Sequence, residues 1–281
     1  MRVERCIERR RLRAPGKSPT MLGILLSGRV MKTLTTFVAL CLLCAAPVYA
    51  QALRVGMSPD YPPLAYREEG RVVGIEADNA TAVGKILGRE VKLVPMAFEQ
   101  LIPALQAGEV DVLMSGLSVT AGRSGKVEFT EPYMQVGQMA IMHRDKIARF
   151  AQPWAVFREG VRVGVEPETT GAAFAARELP DAEVSFFADP EQAFSALRAD
   201  RIDLYIHDAP TSWQLANSAE NEDLISTYSP LTEEMLAWAV NKGNVALRDE
   251  LNKALQLMRS SGTLSYIQSR WIPVQVEVKT P

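Results

Sequence analysis

The sequence predicts an α/β protein of two similar lobes, because one pattern occurs in it twice. "FEQLIPALQAGEVDVLMSG" (Phe98 to Gly116) and "PEQAFSALRADRIDLYIHD" (Pro190 to Asp208) align without a gap: Glu-Gln, then Ala-Leu, then an Asp inside an apolar run. Each has apolar residues at three- and four-residue spacing, a short turn and a continuous apolar stretch, the pattern of helix, turn and buried strand. A second echo lies upstream of each, "LRVGMSPD" from Leu53 and "VRVGVEPE" from Val161, a strand followed by a polar turn. Helix-turn-strand units share a grammar, so one echo alone could arise by chance. Two echoes in the same order point to one α/β unit used twice.

The chain opens on an export address. Met31-Lys32 starts a short positive region, Phe37 to Leu43 is apolar, and Val48-Tyr49-Ala50 supplies the small-x-small pattern of a cleavage site, so cleavage is expected after Ala50. The apolar run is too short to remain in a bilayer as a spanning helix. The "RRRLR" cluster at Arg9 to Arg13 lies far upstream of that run, which fits a start at Met31 better than a twin-arginine signal from Met1. Cys6, Cys41 and Cys44 all precede the cleavage point, so the exported chain is expected to have no disulfide, thiolate nucleophile or cysteine metal site. Cys41 and Cys44 each follow a leucine rather than the small residue of a lipoprotein signal, and the product is expected to be soluble.

Nine of the 31 Lys and Arg and two of the 33 Asp and Glu fall in the first 50 residues. The remaining 231 residues therefore carry 22 basic against 31 acidic side chains, a net charge of −9. That length allows one large domain or two small ones. A surface so acidic argues against nucleic acid and anionic membrane as partners.

In open α/β sheets, ligands bind beyond the carboxyl ends of the strands. The two equivalent strand ends are Ser115-Gly116-Leu117-Ser118 and His207-Asp208. If the units face each other, the cleft between them has hydroxyls, free backbone N–H groups and Arg123 on one wall and a carboxylate on the other. Arg123, in "TAGRSGK" where Thr120 can cap a helix start, carries a planar fork of donors suited to a carboxylate. Asp208 suits an ammonium, so the pair describes an amino-acid zwitterion held across a cleft. Sequence chemistry leaves open that Arg123 is a solvated surface residue and that Asp208 is the N-cap of a helix over "APTSWQLA".

"LRVGMSPDYPPLAY", "GIEADNATAVGKILG", "FEQLIPALQAGEVDVLMSGLSVTAGR", "FTEPY" and "VGVEPETTGAAFA" together resemble the family 3 bacterial extracellular solute-binding proteins, the polar amino-acid receptors of ABC importers. The resemblance runs from Leu53 to Pro273 in the family's motif order. It implies a type II periplasmic-binding-protein fold, two mixed sheets flanked by helices with two hinge crossings, acting as a periplasmic monomer that delivers its solute to an ABC permease without cofactor or metal. By the same resemblance Arg123 binds the ligand carboxylate, helped by Ser118 and the Thr170 N–H, and Asp208 binds the ammonium. Tyr61 and Phe98 stack on the ligand side chain, and Ser115, Gly116 and Thr169 line the pocket, although any single aromatic is more often core. Ser58 stands where many relatives carry an acidic residue, which puts a strongly cationic ligand in doubt. Gly171 stands where relatives often have a larger polar residue.

Enzymes are the rival class. His143 and His207 are the only histidines and form no metal-ligand spacing, and no nucleophile elbow, S-x-x-K or phosphate-cradling glycine loop follows residue 50. The cyclohexadienyl dehydratase branch resembles the same fold and needs a carboxylic acid of raised pKa. A Glu is expected there shortly after the second-lobe Asp, whereas this chain reads Asp208-Ala209-Pro210-Thr211. That leaves His207, read as pointing into the packing of its strand, and Glu168. A sensor module of a membrane kinase or a peptidoglycan-cleaving enzyme would need further domains.

Lobe one is expected over 53–139 and 237–273, where "NVALRDELNKALQLMRSSG" spaces Leu247, Leu251, Leu255 and Met258 along one helix face. Lobe two fills 140–236. The crossings fall near "GQMAIMH" and "EEMLAWAV", and the tail over 274–281 frays.

Overall fold

The computed structural model describes residues 51–150, 152–216 and 218–272. The expected export segment, 1–50, and the expected tail, 274–281, lie outside the described residues. Lobe one begins with β1 (Leu53–Met57), a meander of β2 (Asp60–Tyr61), β3 (Ala65–Glu68) and β4 (Arg71–Val73), α1 (Ile75–Leu87), β5 (Val91–Pro95), α2 (Leu101–Gln106), β6 (Val112–Leu113), α3 (Ala121–Ser124) and β7 (Val127–Phe129). Strand β8 (Met134–Val136) crosses over. Lobe two follows with β9 (Gln138–His143), α4 (Ile147–Phe150), β10 (Arg162–Val165), α5 (Thr170–Glu178), β11 (Glu183–Phe186), α6 (Pro190–Arg198), β12 (Leu204–Asp208), α7 (Ala209–Ala216) and β13 (Leu224–Ser226). Strand β14 (Glu234–Leu236) returns, pairing antiparallel with β8, and β15 (Ala239–Asn241), α8 (Val245–Ser260) and α9 (Thr263–Trp271) complete lobe one.

The repetition read from the sequence is present in the topology. The first sheet has the order β5-β1-β6-β15-β7 and the second β11-β10-β12-β9-β13. In each, three parallel strands are followed by an antiparallel one that comes from a crossing. The shared Asp has the same task in both lobes. Asp111 accepts the Arg54 N–H at 2.8 Å and its guanidinium at 2.6 Å, and Asp203 accepts the Arg162 N–H at 3.1 Å and its guanidinium at 2.7 Å. The carboxylate satisfies a strand-end N–H and fixes the neighbouring strand by a charge-assisted bond, which is why an acidic residue sits in an otherwise apolar run.

The central strands β1 and β12 are buried almost throughout, as strands covered on both faces must be. On α8 the face spaced in the sequence is the buried one: Leu247, Leu251, Leu255 and Met258 are at most 7% exposed and join the lobe-one core. Each such side chain stabilises the fold by about 1.5–3 kcal/mol. The first crossing comes two residues before the expected boundary, since Gln138 and Met139 pair with Asp208 and His207 in the second sheet. Gly137 marks the change of lobe. A Cβ there would lie 2.0 Å from the Thr232 carbonyl oxygen, so the two connections pack backbone against backbone.

Candidate functional site

The carboxyl ends of the two sheets enclose a cavity of about 200 Å³, small beside the roughly 300–1,000 Å³ of drug-sized pockets. Lobe one supplies Tyr61, Phe98, Gly116, Ser118 and Arg123 to its wall, and lobe two supplies Thr169, Thr170 and Asp208. Eight of the nine residues singled out in the sequence therefore meet in one place. Ser115 is buried but is not on the wall, because its hydroxyl accepts the Ser58 N–H at 2.8 Å.

Helix α3 begins as the sequence suggests, with Thr120 Oγ1 accepting the Arg123 N–H at 3.2 Å. The Arg123 guanidinium donates to the Ser118 carbonyl at 3.1 Å and, across the lobes, to the Glu168 carbonyl at 3.0 Å. It stands 5.4 Å from the centroid of the Phe98 ring, a cation–π distance. A guanidinium has five N–H donors, so this geometry leaves donors for a ligand. Burial lowers the Arg123 pKa, and the charges of Asp208, Glu234 and Glu168 oppose that.

Gly116 ends the β6 segment with φ +64, and a Cβ there would come within 2.6 Å of Leu64 Cδ1 and 2.7 Å of Tyr61 Cε1. Only glycine lets Tyr61 lie against this turn. The Gly116 N–H, expected to be free, donates to Glu76 at 2.8 Å. The Ser118 hydroxyl is also engaged, donating to Glu234 on β14 at 2.5 Å.

On the other wall, Asp208 is the last residue of β12 and 7% exposed. The Tyr61 hydroxyl donates to its Oδ2 across the cleft, and Gln138 Nε2 donates to Oδ1. Burial raises the Asp208 pKa and Glu234 adds to the rise, while His207 and the two donors pull it back. Thr169 caps α5 by accepting the Ala172 N–H at 3.1 Å, and Thr170 follows at the first helical position, where N–H groups lack intrahelical partners.

His207 differs from expectation. It lines the cavity rather than the strand packing, edge-on to Tyr61 with ring centroids 4.9 Å apart. Its Nδ1 is 2.8 Å from Thr211 Oγ1 and its Nε2 is 3.6 Å from Glu166 Oε1. Glu168 contributes its carbonyl to Arg123, and it is Glu166 that lines the cavity.

Sequence reasoning missed Gln138, Glu166 and Glu234. Gln138 Nε2 lies within reach of Asp208, of Thr170 Oγ1 at 3.0 Å and of Glu234 at 3.1 Å. Glu166 has its pKa raised by burial against the opposing effects of His207 and Tyr205. One signal for it was present: "LRVGMSPD" aligned on "VRVGVEPE" sets Glu166 opposite Ser58. The acidic residue absent from the first lobe stands in the second.

Arg123 and Asp208 thus face one volume from opposite lobes, which the paired strands β8 and β14 connect. Such a site can hold a small solute with both an anionic and a cationic group. Among the described residues no group of His, Cys, Asp and Glu could hold a metal ion, and no helix is long and apolar enough to cross a membrane.

A family model, "Bacterial extracellular solute-binding proteins, family 3", matches residues 53–274. ABC transporter arginine-binding protein 1 of Escherichia coli K12 is 29% identical over 230 residues, covering 80% of this chain and 92% of the relative. A crystal structure of the ancestral amino acid-binding protein AncCDT-1, described as a precursor of cyclohexadienyl dehydratase, superposes with a TM-score of 0.74 at 32% identity, over 79% of this chain and 95% of that one. A putative ABC transporter binding component from Wolinella succinogenes, complexed with lysine, gives a TM-score of 0.74 at 26% identity, over 81% and 97%.

Proposed function

The chain belongs to the bacterial extracellular solute-binding proteins, family 3, and on that premise we propose that it captures an amino acid between its lobes in the periplasm, as a monomer, and delivers it to an ABC permease. The observation that carries this reading is the pair of opposite charges on opposite walls, Arg123 from lobe one and Asp208 from lobe two, around one cavity. Arg123 holds the ligand carboxylate and Asp208 the ammonium. Tyr61 and Phe98 flank the side chain. Bending at β8 and β14 closes the lobes on the ligand, and the closed form is what the permease receives.

The cleft's own charge bears on the side chain. Asp60, Glu99, Glu166 and Asp208 line it against Arg123. Once a zwitterion has neutralised Arg123 and Asp208, the remaining field is negative and favours a neutral or cationic side chain over an acidic one. Ser58 removed one acidic position, and Glu166 supplies another. A relative named as an arginine-binding protein and a structural neighbour complexed with lysine support a basic ligand.

A thermal-shift panel of the twenty amino acids and small dicarboxylates tests this. A ligand at one hundred times its Kd adds about 2.7 kcal/mol, a rise of roughly 5–10 °C for a chain of this size. Basic and neutral amino acids are expected to give the largest shifts and aspartate and glutamate the smallest. A panel without a shift would overturn the assignment.

The dehydratase reading has one specific support: two carboxyls of raised pKa, Asp208 and Glu166, stand in the cavity. Both are already tied to neighbours, Asp208 to Tyr61 and Gln138 and Glu166 to Tyr205. No aromatic product is expected from prephenate or arogenate. Turnover that disappeared in Glu166→Gln would replace binding with catalysis as the function.

A further inference from the structure

Helix α1 carries a fully buried carboxylate, Glu76, to the point where the cleft floor meets both crossings. Glu76 Oε1 accepts the Gly116 N–H at 2.8 Å and the Tyr133 hydroxyl at 2.7 Å. Its Oε2 accepts the Trp238 indole N–H at 3.1 Å and an Asn79 amide N–H at 3.4 Å. These partners belong to different parts of the machinery. Gly116 lines the cavity, Tyr133 precedes β8, and Trp238 follows β14 by two residues. The Tyr133 and Trp238 rings stack with centroids 5.7 Å apart.

Burying a carboxylate among neutral donors is a costly way to fill a core. An apolar residue in its place would leave the Gly116 N–H, the Tyr133 hydroxyl and the Trp238 N–H buried without an acceptor. A glutamine would present one acceptor oxygen and turn an NH2 toward the donors that the other oxygen now receives. We infer that Glu76 is a positioning residue, which fixes the first-lobe ends of both crossings in register with the cleft floor, so that lobe two swings about one axis into one closed geometry. Glu76 does not touch the ligand; it acts through Gly116 and the two crossings. The inference rests on the reading of the cleft as a site that closes by bending at β8 and β14. Without the anchor the crossings shift independently, the fraction of molecules able to close correctly falls, and the apparent Kd rises by the inverse of that fraction.

The test measures inter-lobe distance. The chain has no cysteine beyond Cys44, so Lys253→Cys on lobe one and Arg201→Cys on lobe two, both exposed positions, accept spin labels selectively in the exported protein. Pulsed dipolar spectroscopy then gives the distance distribution without ligand and with L-arginine. Glu76→Gln is expected to widen the ligand-free distribution about twofold with far-UV circular dichroism unchanged, and to weaken L-arginine, or whichever amino acid the panel shows to bind most tightly, about tenfold. Tyr133→Phe, which removes one donor and nothing else, should widen the distribution in the same direction by less, and it serves if Glu76→Gln does not fold. Unchanged widths in the folded variants overturn the inference. Should wild type respond to no amino acid while Glu76→Gln still widens the distribution, the ligand assignment fails and the positioning role stands.

Discussion

Replacing Arg123 by lysine is expected to weaken amino-acid binding about 30-fold or more while the protein keeps its fold. The guanidinium holds its place through three contacts, to the Ser118 carbonyl, the Glu168 carbonyl and the Phe98 ring. Those leave a pair of its N–H groups in a fixed plane for a carboxylate. An ammonium has three donors at one point and cannot keep both carbonyls and receive a carboxylate side by side. Truncating one member of a buried charge pair costs about 2–5 kcal/mol, and the lower end of that range already corresponds to about 30-fold. Calorimetry on the wild type and the variant reads the effect directly, with circular dichroism as the control for folding. Unchanged affinity would return Arg123 to the role of a structural clamp between its two carbonyls.

Asp208→Asn is expected to separate amino acids from ligands that have no amine. Asparagine keeps the shape and one acceptor oxygen, and the Tyr61 hydroxyl can accept from the new NH2, so the wall should hold its form. The charge that an ammonium needs is gone, so amino acids should weaken strongly, by an amount comparable to the Arg123 variant. A simple dicarboxylate should bind Asp208→Asn no worse than wild type, and should still be lost in Arg123→Ala. The pH response has a defined sign. Burial holds the Asp208 pKa above the ordinary carboxylate value, so amino-acid affinity should be full above that raised pKa and fall as acid protonates the carboxylate; the Asn variant should lose that dependence. Small-angle scattering adds the mechanical half of the test. Wild type should compact on adding the amino acid, whereas Asp208→Asn at the same concentration should not. Equal amino-acid affinity in the two proteins, or tight binding without compaction, would sink the cleft mechanism.

Much of the architecture was legible because its signals are local or repeated. The two echoes required two similar units, and the sheets carry the same strand order. The spacing of Leu247, Leu251, Leu255 and Met258 foretold the buried face of α8. Thr120 as a cap and Arg123 behind it could be read within four residues. The second sheet begins two residues before the boundary the sequence suggests, since an apolar run such as "GQMAIMH" carries no mark of the strand with which it will pair.

By itself the sequence determined the doubled α/β unit, the absence of cysteine after Cys44, and the residue types at the two strand ends that put a guanidinium and a carboxylate where a zwitterion can meet them. Tertiary structure alone decided which polar groups remain available to a ligand. Tyr61 and Asp208 are 147 residues apart in the chain, and Glu76 and Trp238 are 162 apart. No local pattern encodes such pairs. Ser115, a pocket-lining candidate by sequence, is engaged by Ser58, the Gly116 N–H is held by Glu76, and His207 turns into the cavity instead of the core. Each difference has one cause: a buried donor or acceptor must find a partner, and the partner is chosen by what the folded chain brings within about 3 Å, not by what stands beside it in sequence.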